Sequence, residues 1–165
     1  MMHKLLIVLA TFSFFGNQIK AQKEYHREYY GNGSIKAEGW KMDHQRIDYW
    51  YIYHLNGSVS EQGHFRNNKR DGYWFFYSEE NKLIREGHFK NDKAEKWWII
   101  YDIATGNQKD QITRKYQYQN NKKNGYCLLY KNDKLFKAEK YINDQKIGEW
   151  TDVFSFKKDN PNASL

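Results

Sequence analysis

The chain is nearly free of cysteine and proline, and it has no apolar run long enough to cross a bilayer. One cysteine, Cys127, makes an intramolecular disulfide impossible, so the fold must be held by packing. Its neighbours Leu128 and Leu129 point to a buried, unreactive thiol. One proline, Pro161, lies in the closing stretch KKDNPNASL, and residues 155–165 read as a polar, disordered tail. The most apolar stretch, Leu5 to Phe15, covers about 11 residues, whereas a membrane helix needs roughly 20. Also missing are a Gly-x-Ser-x-Gly elbow, a His-Glu-x-x-His pair and a phosphate-binding glycine loop. The sequence therefore names no catalytic residue and no cofactor, and it reads as non-enzymatic.

Lys4, the short apolar stretch and the Ala21-Gln22 junction have the form of a secretory signal peptide over residues 1–21. An uncleaved N-terminal anchor is the alternative. No cysteine stands near the junction, which argues against a lipoprotein anchor. The expected location is periplasmic or extracellular, with no transmembrane span in the mature chain. Cleavage removes Lys4 and Lys20 and no acid, taking the formal charge from +7 to +5. An exported chain rarely meets nucleic acid, so that partner is disfavoured.

Aromatic residues are abundant at 18%, with 6 tryptophans and 14 tyrosines, and they recur in register. A shift of 24 residues aligns Tyr29, Tyr53, Tyr77 and Tyr101. The same shift aligns Gly39, Gly63 and Gly87, then Trp50, Trp74 and Trp98, then Ile35, Val59 and Leu83. The fourth unit is longer, running 29 residues from Tyr101 to Tyr130, and a fifth ends near Val153. Within a unit, SVSEQGHF (58–65) alternates like a half-exposed strand, RNNKRD (66–71) is a polar turn and GYWFFY (72–77) favours strand. A lone hairpin is marginal, so the units must stack. The expected fold is all-β: an elongated antiparallel sheet of about ten strands from five stacked hairpins of 23–29 residues. Residues 22–28 form a short lead, 29–154 the repeats and 155–165 the tail.

Tyr53, Asn56, Gly57, Gly63, Phe65, Asn67, Gly72, Trp74 and Tyr77 together resemble the bacterial variant of the MORN repeat. The third unit departs from it with Asn81 and Lys96, the fourth has Cys127 in the tryptophan column, and the fifth has Val153 for tyrosine. The resemblance covers about three quarters of the chain and implies fold more than function. Such proteins are described as interaction scaffolds, membrane-associated modules or, in bacteria, presumed antitoxins.

With Asn67–Asp71 as a five-residue loop, His64 faces Trp74 and Gly63 faces Phe75. One face then holds Val59, Gly63, Phe65, Tyr73, Phe75 and Tyr77 as core, the glycine leaving room for the ring opposite. The other carries Trp50, His64, Trp74, His88 and Trp98 as a candidate partner-binding ladder, unless the sheet curls to bury both faces. His64 and His88 lie two strand spacings apart, about 9–10 Å. Trp40, Gln117 and Lys140 fill the same column, so no metal is expected there. The hairpin loops align Arg46, Lys69, Arg70, Lys93, Lys122, Lys123 and Lys146 as a basic edge, opposite turns bearing Glu79, Glu80 and Asp102. A protein partner on the ladder is the first reading, an immunity-type protein being one form of it. Anionic lipid or glycan on the basic edge is the second. An enzyme without a recognisable motif is the third. Lysines that merely keep tight turns soluble would account for the same edge.

Overall fold

The computed structural model describes residues 22–102 and 110–163; the expected signal peptide, residues 1–21, lies outside the described residues. Its strands are β1 (Lys23–Tyr29), β2 (Ile35–Met42), β3 (Gln45–Tyr53), β4 (Val59–Arg66), β5 (Lys69–Tyr77) and β6 (Leu83–Lys90). They continue as β7 (Lys93–Tyr101), β8 (Ile112–Gln119), β9 (Lys122–Lys131), β10 (Lys134–Ile142) and β11 (Gln145–Trp150). One helix, α1 (Val153–Asp159), follows. Each strand pairs with its sequence neighbours, giving one open, 11-stranded antiparallel sheet in chain order. Strands β2 to β11 are the five expected hairpins. Residues 22–28, read as a lead, instead contribute β1, an additional edge strand paired to β2 from Lys23 to Tyr29.

The turns are shorter than expected. Asn67 and Asn68 have φ of 51° and 64°, so Arg66 pairs with Lys69 across a two-residue turn. Both central residues of such a turn need positive φ, which asparagine and aspartate tolerate best. Asp43–His44, Asn91–Asp92, Asn120–Asn121 and Asn143–Asp144 repeat the geometry. The second turn residue also reaches back to the preceding hairpin. The Asn68 amide donates to the Arg46 carbonyl at 3.0 Å, and Asn68 Oδ1 accepts from the Arg46 amide at 2.7 Å. Asp92 does the same with Arg70, Asn121 with Ala94 and Asp144 with Lys123. One small polar residue thus both makes the turn and clasps two repeats.

The shorter turn changes the register. Gly63 pairs with Trp74, and Phe65 with Arg70, so Asp71, Gly72 and Tyr73 bulge opposite His64 alone. Gly72 takes up the distortion at φ 103°, as do Asp48 at 56°, Lys96 at 61° and Gly125 at 117° in the neighbouring hairpins. The five-residue loop had put Gly63 opposite Phe75; the observed pairing moves Trp50, Trp74 and Trp98 to the glycine side. The indole of Trp74 lies flat on its neighbour, where a Cβ at Gly63 would sit 2.5 Å from the ring. Its Nε1 donates to the His64 carbonyl at 3.1 Å, within the bulge, and Trp98 does the same to His88 at 3.1 Å.

Trp50 and Trp74 are fully buried and Trp98 is 5% exposed. Phe65 and Phe89 pack between them edge-on, at 5.0 Å from Trp74 and 4.9 Å from Trp98. Phe76, Ile52, Ile84, Ala94 and Tyr118 complete this layer. Hairpin four inverts the sizes: Tyr116 stands in the glycine column and buried Cys127 in the tryptophan column, paired across β8 and β9. The volume is conserved in sum, which is why a cysteine can replace a tryptophan here.

The expected disordered tail is corrected in the same way. Asp152 caps α1 by accepting from the Ser155 amide at 2.8 Å, and Phe156 is 1% exposed. Phe156 packs on Leu128 and Ala138, joined by Trp97, Tyr126 and Trp150. The helix therefore covers the opposite face from the tryptophan layer, over the last strands. The boundary at 154 falls inside it.

Candidate functional site

The sheet has one closed face and one open face. Long cations lie over the tryptophan layer: Arg46 sits 4.4 Å from the Trp50 ring centre, Arg70 4.1 Å from Phe89 and Arg85 4.2 Å from Phe76. Their aliphatic stems cover aromatic surface while the charge stays wet.

The open face repeats too. Tyr25, Tyr49, Tyr73 and Trp97 stand 24 residues apart on β1, β3, β5 and β7, and Tyr126 takes the place on β9. Between them stand Trp40, His64, His88, Gln117 and Lys140. Three successive edge-on pairs result: Tyr25–Trp40 at 5.3 Å, Tyr49–His64 at 4.9 Å and Tyr73–His88 at 4.8 Å between ring centres. Tyr25, Trp40 and Tyr51 are exposed, as is His64, while Tyr49, Tyr73 and His88 are half-buried. Beyond Trp97, α1 lies on the same face, with Phe156 5.4 Å from Tyr126.

A second row runs beside the first. Tyr53 Oη donates to Glu38 at 2.7 Å and Tyr101 Oη to Glu86 at 2.6 Å. In the unit between them, Gln62 Nε2 donates to Tyr77 Oη at 2.8 Å. Burial, then the Glu86 carboxylate, pushes Tyr73 up to about 12. Burial, then Lys96, lowers the His88 imidazole below its ordinary value. Both shifts favour the uncharged ring, so Tyr73 and His88 present neutral donors and acceptors on aromatic bodies.

The expected ladder of Trp50, His64, Trp74, His88 and Trp98 is thus divided between faces. The histidines stay on the open face; the three tryptophans are core, because two-residue turns and bulges place them over glycine. Tyr73 and Trp97, core residues if Asn67–Asp71 and its equivalent are five-residue loops, stand instead with Tyr49 in the half-buried ladder of the open face. Their 24-residue recurrence was visible in the sequence; the face was not.

The basic edge divides likewise. Lys69, Lys93 and Lys122 are exposed at the turns, with Arg66 and Lys90 beside the first two. Arg46, Arg70 and Lys123 turn onto aromatic rings, Lys123 lying 4.4 Å from Tyr116. Arg46 also pairs with Glu28 at 2.5 Å, and Lys146 pairs with Glu149. On the far edge Glu79 and Glu80 are exposed, while Asp102 is held by Arg114.

Burial, then Glu139, pushes the Cys127 thiol up to about 11, the direction opposite to that of a nucleophile. Among the described residues no three His, Cys, Asp or Glu side chains converge to hold a metal, and no helix is long and apolar enough to cross a membrane. No protein-family model matches the chain, and no curated protein matches it.

Proposed function

We propose that the protein is an exported, non-catalytic interaction module of MORN-like hairpins that holds a protein partner on its open tyrosine/histidine face. One observation carries the reading: three aromatic pairs repeat across uncovered strands, while the other face is closed by its own tryptophans. Half-exposed tyrosine with a polar edge is the side-chain chemistry enriched at interfaces. Export follows from the signal-like residues 1–21, and an immunity-type role is the form that the resemblance to antitoxin-labelled repeat proteins favours.

The test is capture from an envelope extract by the protein and by His64→Glu and Tyr49→Ala variants that keep their Tm. A partner held by the parent protein and lost by both variants supports the reading; a partner kept by both overturns it.

The second reading, an anionic lipid or glycan on the basic edge, is favoured by the exposed row Arg66, Lys69, Lys90, Lys93 and Lys122. Binding there would weaken steeply from low to physiological ionic strength. Retained vesicle binding in a Lys69→Glu, Lys93→Glu, Lys122→Glu triple variant would remove it.

A further inference from the structure

The uncovered half of the open face carries the same groove twice. One groove, of about 450 Å³, is lined by Met42, Asp48, His64, Arg66, Asp71 and Gly72 among others. The next, of about 530 Å³, is lined by Arg66, Asp71, Gly72, His88, Lys90, Glu95 and Lys96 among others. Advancing the first set by 24 residues gives members of the second, so Met42 becomes Arg66 and His64 becomes His88. Arg66, Asp71 and Gly72 line both grooves. They are neighbouring halves of one track, beside the bulges at Asp48, Gly72 and Lys96, which part their strands from β2, β4 and β6 respectively.

We propose that this track binds a proline-rich segment of the partner protein, lying across the strands in the polyproline II conformation with one turn per repeat. The spacing is the first argument. Equivalent groups on the track are two strands apart, about 9.4–9.8 Å. One turn of polyproline II, three residues, advances about 9.3 Å. An extended β-strand, with same-face side chains about 6.6–6.8 Å apart, is out of step with such a track from one repeat to the next. Sheet twist turns the repeats against one another, so the match serves a segment of two or three turns and not a long fibre.

Charge is the second argument. The titratable carboxylates and cations lining the two grooves are Asp48, Asp71 and Glu95 against Arg66, Lys90 and Lys96, and they cancel. The track therefore suits an uncharged backbone and not a polyanion. Polyproline II leaves its carbonyls without internal hydrogen bonds, and they seek donors from the receptor. His64 and His88 line the grooves and can give them, and Tyr49 and Tyr73, edge-on to these histidines just outside the groove lining, offer ring surface for proline along the track. Continuity is the third. Where the same face continues past Trp97 it already buries an apolar group of this chain, Phe156, against Tyr126 and Trp150 at 5.4 Å each.

The inference rests on the interaction reading above and specifies its ligand. Its test is a titration of the purified full-length protein with decaproline, followed by heteronuclear NMR at two ionic strengths. The expected result is saturable shifts at His64, His88, Tyr49 and Tyr73, little changed by salt, with affinity falling at least tenfold in Tyr73→Ala. Exposed His64→Glu reads the same track should Tyr73→Ala fail to fold, and is expected to weaken binding similarly. The proposal is overturned by the absence of saturable shifts, by binding that His64→Glu leaves intact, or by a chito-oligosaccharide occupying these residues while decaproline does not. If decaproline fails while partner capture still depends on His64 and Tyr49, this inference falls and the interaction reading stands. If capture is also indifferent to them, both fall.

Discussion

Trp74 fills the layer between Phe65 and Phe89, and its indole N–H satisfies the His64 carbonyl within the bulge. Trp74→Phe keeps most of the volume and removes that donor, and is expected to cost about 1–3 kcal/mol by urea denaturation. Lys96 illustrates the reverse case, a residue working against its backbone. At φ 61° it holds the bulge position that Gly72 and Gly125 fill in two other hairpins. Lys96→Gly should raise stability by up to about 1 kcal/mol, the left-handed strain exceeding the entropy that glycine adds to the unfolded chain. Gly72→Ala, at φ 103°, should lower Tm instead. His88 gives the fold a pH dependence of known sign. Its folded pKa lies below the unfolded value, so the unfolded chain binds the proton more readily between the two. Its contribution is complete above the unfolded value of about 6.5 and is lost as pH falls through the folded one. His88→Gln should therefore flatten the fall of Tm on the acid side of that value and leave Tm at pH 8 nearly unchanged.

At the scale of the element, the unit of design is the hairpin with its bulge. Glycine on the first strand accepts the ring on the second, and hairpin four solves the same problem with Tyr116 and Cys127. Gly87→Tyr alone should severely destabilise the protein, since a Cβ at Gly87 already collides with the Trp98 ring. Adding Trp98→Cys should recover much of the loss, with a coupling of about 1–3 kcal/mol in the double-mutant cycle. The absence of recovery would mean that hairpin four packs by other means. The hairpins themselves were legible in the sequence because alternation, Asn-rich turns and a 24-residue period all survive in one dimension. The register was not. Whether Asn67–Asp71 is a five-residue loop or a two-residue turn followed by a bulge depends on the backbone angles of Asn67, Asn68 and Gly72. Asn and Gly permit both solutions locally, and only burial of the tryptophans against the glycines chooses between them.

For the whole molecule, a sheet in chain order means that each strand answers mainly to its neighbours. Stability should then be graded along the array and not shared evenly. Phe156→Ala removes the buried anchor of α1 and should speed amide exchange in β9, β10 and β11 while β2 to β5 keep their protection. Uniform loss across all strands would show that the sheet unfolds as one unit. The same linear build explains how a surface can recur: a track made from repeats has the pitch of the repeats.

Composition and period alone determined that this chain folds without disulfides into stacked antiparallel hairpins, because hydrophobic alternation and turn chemistry are local properties of the chain. Tertiary structure decided which side of the sheet is core. A single change of register exchanges every side chain between faces, and the energy that fixes the register comes from burying Trp50 and Trp74 each over the glycine of its own hairpin and against the phenylalanine of the next. Tyr49, His64, Tyr73 and His88 face outward because Trp50, Trp74 and Trp98 could bury only over glycine.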